Sequence, residues 1–134
     1  MEENIIGTLA IDLGNTNTVL AFQGEKSSHP ILLDIPSISN RAGIIPTAIW
    51  YENETDKTLI GNTALKMINR FDNEKYFYTN FKRLIGNPFE EFNKRYLSPE
   101  EAGEKFFKEL WNYIPQKYIV KRLVLTSPID TYKG

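Results

Sequence analysis

The 134-residue chain contains no cysteine and a single histidine, His29. The first absence excludes a disulfide framework, a thiolate metal site and a cysteine nucleophile, and it suits a reducing compartment. The second means that any His-based metal site or Ser-His-Asp triad must be built around His29, which reads as a surface loop residue beside Pro30. No apolar run approaches the roughly 20 residues of a membrane helix. Met1-Glu2-Glu3-Asn4 lacks the basic start of a secretory signal, so the expected setting is the cytoplasm, with no membrane partner. Neither sign of charge dominates: 16 Lys+Arg stand against 17 Asp+Glu, giving a net charge of −1. No global field draws such a chain to nucleic acid. Asn53-Glu54-Thr55 matches a glycosylation sequon and is read as chance.

What is present is a globular composition, 41% hydrophobic and 13% aromatic. The first third reads as strands. Thr8–Leu13 is a short apolar run, Asp12 to Asn17 breaks it with turn residues, and Thr18–Phe22 resumes it, which predicts a hairpin. Ile31–Ile35 is a third strand candidate ended by Pro36, and 36–46 reads as a loop. Thr47–Tyr51 and Thr58–Ile60 are further strands around a polar turn, followed by a helix near Thr63–Arg70. Tyr76 to Tyr96 mixes aromatic and basic residues, interrupted by Glu90 and Glu91, with one short helix expected around Asn80–Leu84. Ser98-Pro99-Glu100-Glu101 is the clearest helix start: Ser98 caps, Pro99 suits the first position and Glu101 completes a capping box. Ala102, Phe106, Phe107, Leu110, Trp111 and Ile114 mark one face of that helix as core, up to Pro115. Leu123–Thr126 is expected to be a buried strand, with Trp111 and Phe107 packed against Leu123–Leu125.

The strongest candidate site is Asp12-Leu13-Gly14-Asn15-Thr16-Asn17. An acid at a strand end sits where a cation can be held, and Mg²⁺, which dehydrates reluctantly, would be held through water. Gly14 is expected to supply a positive φ and to let the backbone come close to a ligand. The following amides and the side chains of Asn15, Thr16 and Asn17 can surround phosphate oxygens. An ordinary hairpin turn has the same composition. No GxxxxGK[ST] loop occurs.

Ala10-Ile11-Asp12-Leu13-Gly14-Asn15-Thr16-Asn17-Thr18 resembles the first phosphate-binding signature of the actin and sugar-kinase superfamily, in the form found in DnaK-type chaperones of the seventy-kilodalton heat-shock family. Further stretches follow in that family's order. Ile45-Pro46-Thr47-Ala48-Ile49 is similar to its "TPS" segment, Leu59-Ile60-Gly61-Asn62-Thr63-Ala64 to its "VGxxA" helix entry, and Phe81-Lys82-Arg83-Leu84-Ile85-Gly86 to its "KRLIGR" segment. Leu123-Val124-Leu125-Thr126-Ser127-Pro128 is similar to its "AVITVPA" strand. The chain departs from the family at Asn15, where Thr is usual, at Asn87, where Arg is usual, and after Pro128.

The resemblance implies an α/β fold: a ribonuclease-H-like (actin-like ATPase) core from 1–57 and 116–134, with 58–115 as part of a smaller inserted subdomain. It implies an ATP-dependent chaperone as parent, with ATP or ADP and Mg²⁺ as cofactors. Its partners would be unfolded peptide clients, a J-domain protein and a nucleotide exchange factor. Asp12 would serve the Mg²⁺ and phosphate site, Thr16 and Asn17 would line the β- and γ-phosphates, and Lys82 would reach the γ-phosphate. Pro128 would act in nucleotide-state switching. The second phosphate loop, the adenosine pocket and the peptide-binding domain would lie past Gly134. The chain by itself is then expected to be inactive and to self-associate through uncovered sheet surface. An actin-fold metabolite kinase and a non-catalytic adaptor are the alternatives.

Overall fold

The computed structural model describes residues 3–67, 77–79 and 97–126. The fold is mixed α/β, with two sheets and two helices among the described residues. Its elements are β1 (Ile5–Leu13), β2 (Asn17–Gly24), β3 (Ile31–Leu33), β4 (Ile45–Pro46), β5 (Ala48–Glu52), β6 (Lys57–Ile60), α1 (Gly61–Met67), β7 (Phe77–Thr79), α2 (Pro99–Tyr113) and β8 (Tyr118–Thr126). The expected helix at Asn80–Leu84 lies outside the described residues.

The first sheet has the order β3-β2-β1-β8, with β4 also pairing β2. β1 and β2 form the hairpin that the apolar-turn-apolar pattern predicts, in the register Leu9↔Phe22, Ile11↔Leu20 and Leu13↔Thr18. Alternation decides which side of it is core. Leu9, Ile11, Leu13, Thr18, Leu20 and Phe22 are buried, whereas Thr8, Ala10 and Asp12 alternate onto the opposite face. β8 runs parallel to β1, so the chain must cross over to reach it, and the intervening residues include the whole second sheet and α2. The β1–β8 register shifts between Gly7 and Thr8, leaving Lys121 as the extra residue of a bulge. Lys121 meets Glu25 at 2.8 Å on the surface.

The second sheet has the order β6-β5-β7. β7 was not foreseen: Phe77–Thr79 lies in a stretch whose mixture of aromatic and basic residues hides any alternation, yet Tyr78 is fully buried. The polypeptide leaves the first sheet at Pro46 and enters the second at Ala48, so Thr47 is the junction. α1 begins at Gly61, whose φ of 63° and 2.4 Å clearance from a Cβ position to the Ile38 carbonyl leave room for glycine alone. A single apolar cluster joins the sheets and α2, with Leu20, Phe22, Ile38, Ile45, Ile49, Ile60, Tyr78, Phe106 and Leu110 among its members.

α2 begins as the sequence predicts. The Ser98 hydroxyl accepts from the Glu101 N–H at 3.1 Å and the Ser98 N–H donates to the Glu101 carboxylate at 2.9 Å. Its buried face differs from expectation. Ala102, Phe106 and Leu110 are buried, but Trp111 is 48% exposed and Phe107 only partly covered. Leu123 and Leu125, expected in a buried strand, are 51% and 57% exposed. One geometric cause accounts for both corrections. α2 packs across β6 and β5, and of the β8 residues Tyr118 and Val120, near its start, pack against the core. Nothing among the described residues lies over Leu123 and Leu125, and β8 is an edge strand there. The i, i+4, i+8 series Ala102, Phe106, Leu110 was the true seam, and Phe107 and Trp111 flank it.

A polar contact locks the β5–β6 hairpin to α2. Asp56, in the turn at φ 58°, accepts a 2.8 Å hydrogen bond from the Tyr51 hydroxyl and lies 3.6 Å from the Lys105 ammonium. That ammonium also stands 4.6 Å over the Tyr51 ring. The Tyr51 hydrogen bond, and then the Lys105 charge, hold the Asp56 carboxyl below its ordinary pKa. The same hydrogen bond, and then burial, raise that of Tyr51. A depressed carboxyl pKa stabilises the fold above the unfolded value and loses that contribution as pH falls through the folded one. A raised tyrosine pKa contributes below its unfolded value and is lost as pH rises through the folded one. The stability gap between wild type and Asp56→Asn is therefore expected to be full at neutral pH and to shrink below about pH 4. Urea midpoints of both proteins at pH 7 and pH 3 measure it, and a gap that stays constant would refute the contact.

Candidate functional site

The residues from Asp12 to Asn17 comprise the last two of β1, the connection 14–16 and the first of β2, at the end of the sheet where β4 joins. Asp12, on the face opposite the core, is exposed, and its Cα neighbours across the sheet are Val19 and Thr126. Thr126 has its hydroxyl 3.4 Å from the Ile11 carbonyl. The turn itself is closed by the Gly14 N–H donating to the Asn17 carbonyl at 2.9 Å. Gly14 does not have the positive φ expected of it: Gly43 and Gly61 do. Its requirement is space, because a Cβ at Gly14 would stand 2.5 Å from the Asn17 carbonyl oxygen. The left-handed backbone expected of Gly14 is not what the turn uses; the close contact there is with the chain's own Asn17 carbonyl.

Asn15 and Asn17 are half-buried, and Thr16 is exposed. The Asn15 Oδ1 atom is buried and has no hydrogen-bond partner among the described residues. Such an orphan costs about 1–3 kcal/mol, which a bound group can recover. With oxygen in that position the missing partner is a donor, such as a water in the shell of a hydrated cation. Rotating the amide by 180° presents its NH₂ to a phosphate oxygen instead. Among the described residues no cluster of three or more His, Cys, Asp or Glu side chains could hold a metal. Asp12 offers one exposed carboxylate at the end of β1. That suits Mg²⁺, which keeps several waters and takes one or two carboxylates together with substrate phosphates.

The structure brings Asp12, Gly14, Asn15, Thr16 and Asn17 into one turn, while Lys82 and Pro128 lie outside the described residues. His29 is exposed, and its neighbour is the Ser27 hydroxyl, 3.3 Å from the His29 N–H. It belongs to no cluster of metal-ligating side chains among the described residues.

Sequence reasoning missed the support behind the turn. The Thr47 N–H donates to the Thr16 carbonyl at 2.9 Å, and the Thr18 and Thr47 hydroxyls meet at 2.7 Å with both residues buried. The available signal was alternation: Thr18, Leu20 and Phe22 share one face, so a hydroxyl placed among core residues should have demanded a partner. Among the described residues no helix is long and apolar enough to cross a membrane. Comparison with protein-family models and with curated proteins finds no match for this chain.

Proposed function

We propose that this chain is the N-terminal portion of an ATP-dependent molecular chaperone of the DnaK type, and that its Asp12–Asn17 turn supplies the first phosphate and Mg²⁺ contacts of an ATPase site. The observation that carries the reading is the turn: an exposed acid, a glycine with no room for a Cβ, and a buried amide atom with no partner among the described residues fall within four residues. The fold adds support. β1 to β4 and β8 share one sheet although α2 and the whole β6-β5-β7 sheet lie between them in sequence, the arrangement a ribonuclease-H-like core with an inserted subdomain would have; β5 and the start of β6, within the 1–57 given to the core by the resemblance, belong to the second sheet.

In this reading Asp12 orients waters of a bound Mg²⁺, and Asn15, Thr16 and Asn17 meet phosphate oxygens through side chains and backbone amides. The ion would neutralise phosphate charge. Lys82 would stabilise charge developing on the γ-phosphoryl group, and hydrolysis in the parent would drive cycles of unfolded-peptide binding in the cytoplasm. The resemblance of Phe81–Gly86 to the chaperone segment favours this over a metabolite kinase.

Calorimetric titration of the full-length protein with ATP, with and without Mg²⁺, tests the site. Asp12→Asn is expected to weaken Mg²⁺-dependent binding by roughly tenfold or more, the size of a lost charge-assisted contact of about 1.5–3 kcal/mol. Its effect in the absence of Mg²⁺ should be small. Equal affinity of wild type and variant in Mg²⁺ would remove Asp12 from the site, and no binding by the wild type would end the proposal.

A further inference from the structure

Thr47 occupies a position that its sequence neighbours do not explain. It is the one residue between β4, which pairs β2 in the first sheet, and β5, the central strand of the second. It is 1% exposed and its hydroxyl meets that of Thr18, itself fully buried, at 2.7 Å. A pair of valines would fill the same volume. Two buried hydroxyls add little net stability over such a pair, but they fix direction, because each must face the other or go unsatisfied. The Thr47 N–H holds the Thr16 carbonyl at 2.9 Å, inside the candidate phosphate turn. On its other side Thr47 continues into Ala48 and Trp50, which pack with Ala64 of α1. The contacts form an unbroken path: turn, Thr16 carbonyl, Thr47, β5, α1.

We propose that Thr47 is a positioning residue for the Asp12–Asn17 turn, and that through it occupancy of the turn is transmitted to the three-stranded sheet. The transmission rests on the phosphate reading above; the positioning does not. Thr47 touches no reacting group. It sets the height of the Thr16 carbonyl, and so the shape of the loop that Gly14 and Asn17 close. A ligand that draws Thr16 toward itself must either break the bond to Thr47 or carry the first residue of β5 with it.

Hydrogen exchange on the wild-type chain and on Thr47→Val, Thr47→Ser, Thr18→Val and the double valine variant separates positioning from mere packing. Without ligand, Thr47→Val is expected to speed exchange of the Gly14 and Thr47 amides by roughly 3–10-fold, the size of one lost buried hydrogen bond. The Leu20 and Phe22 amides should change less. Thr47→Ser should restore the wild-type pattern, and the double variant should be no worse at the turn than either single one. A uniform acceleration that tracks global stability, or no rescue by serine, would overturn the positioning role. With Mg²⁺ and inorganic pyrophosphate added, the wild type should gain protection both in the turn and at Trp50 and Tyr51, and Thr47→Val should keep the first and lose the second. Protection confined to the turn in the wild type would overturn the transmission while leaving the phosphate site standing. No protection anywhere at millimolar pyrophosphate would overturn the phosphate reading and the transmission together, and the ligand-free comparison alone would then decide the positioning.

Discussion

Phe106→Ala is expected to cost about 3–5 kcal/mol, the usual range for truncating a buried aromatic, whereas Trp111→Ala, one helical turn and a residue further on, should fall near ±0.5 kcal/mol. The larger side chain has the smaller effect because burial, not size, sets the cost. Phe106 is fully buried in the cluster that unites both sheets, between Ala102 and Leu110 on the inner line of α2. Its removal leaves a cavity that three converging elements cannot close without shifting one another. Trp111 is 48% exposed on the shoulder of the same helix. Denaturant unfolding of the two variants, compared at their midpoints, gives the answer. A Trp111→Ala loss as large as that of Phe106→Ala would mean that the helix is rotated from the register described.

Lys82→Ala in the full-length protein is expected to lower single-turnover ATP hydrolysis by about 10²–10³-fold, near 3–4 kcal/mol, while changing nucleotide affinity modestly. Binding would be spread over Mg²⁺, the amides around Gly14 and Thr16, and the adenosine contacts, so one ground-state contact among many is dispensable. Hydrolysis instead needs charge neutralised where it develops, in a loose transition state with little covalent work for the protein. Arg at position 82 should rescue little, because a planar fork does not take the place of a compact ammonium. Affinity by calorimetry and a single-turnover time course on each variant form the pair of measurements. Wild-type hydrolysis by Lys82→Ala would remove Lys82 from the catalytic assignment.

How much of this was legible in the sequence follows the range of the forces involved. The β1–β2 hairpin and the start of α2 depend on residues within a few positions of one another, and both were readable: Gly14 in the turn, and Ser98 with Glu101 in the cap. The helix stripe was readable only to within one residue, because Phe106, Phe107, Leu110 and Trp111 are all apolar and the choice between them is made by what α2 meets. The exposure of Leu123 and Leu125 could not be read at all. An apolar strand looks the same whether its neighbour is a helix or nothing, and only the path of α2 across β6 and β5 decides it. In the candidate site, the local part was visible from Asp12 and Gly14. The support from Thr47 joins residues 29 positions apart, and no short-range pattern announces it.

The parallel pairing of β1 with β8 also sets a clock. The hydroxyl of Thr126 and the carbonyl of Ile11 are 115 positions apart in the chain. At synthesis rates of about 5–20 residues per second, β1 waits roughly 6–23 s after leaving the ribosome's catalytic centre before its second neighbour has been made. The hairpin with β2 needs no such wait and forms in microseconds once both strands are free. During the interval one edge of β1, with the row from Leu9 to Leu13, stays open to any other strand it meets. The newborn chain is therefore most prone to mispairing early and at one known edge, and a helper that shields nascent chains would have its clearest target there.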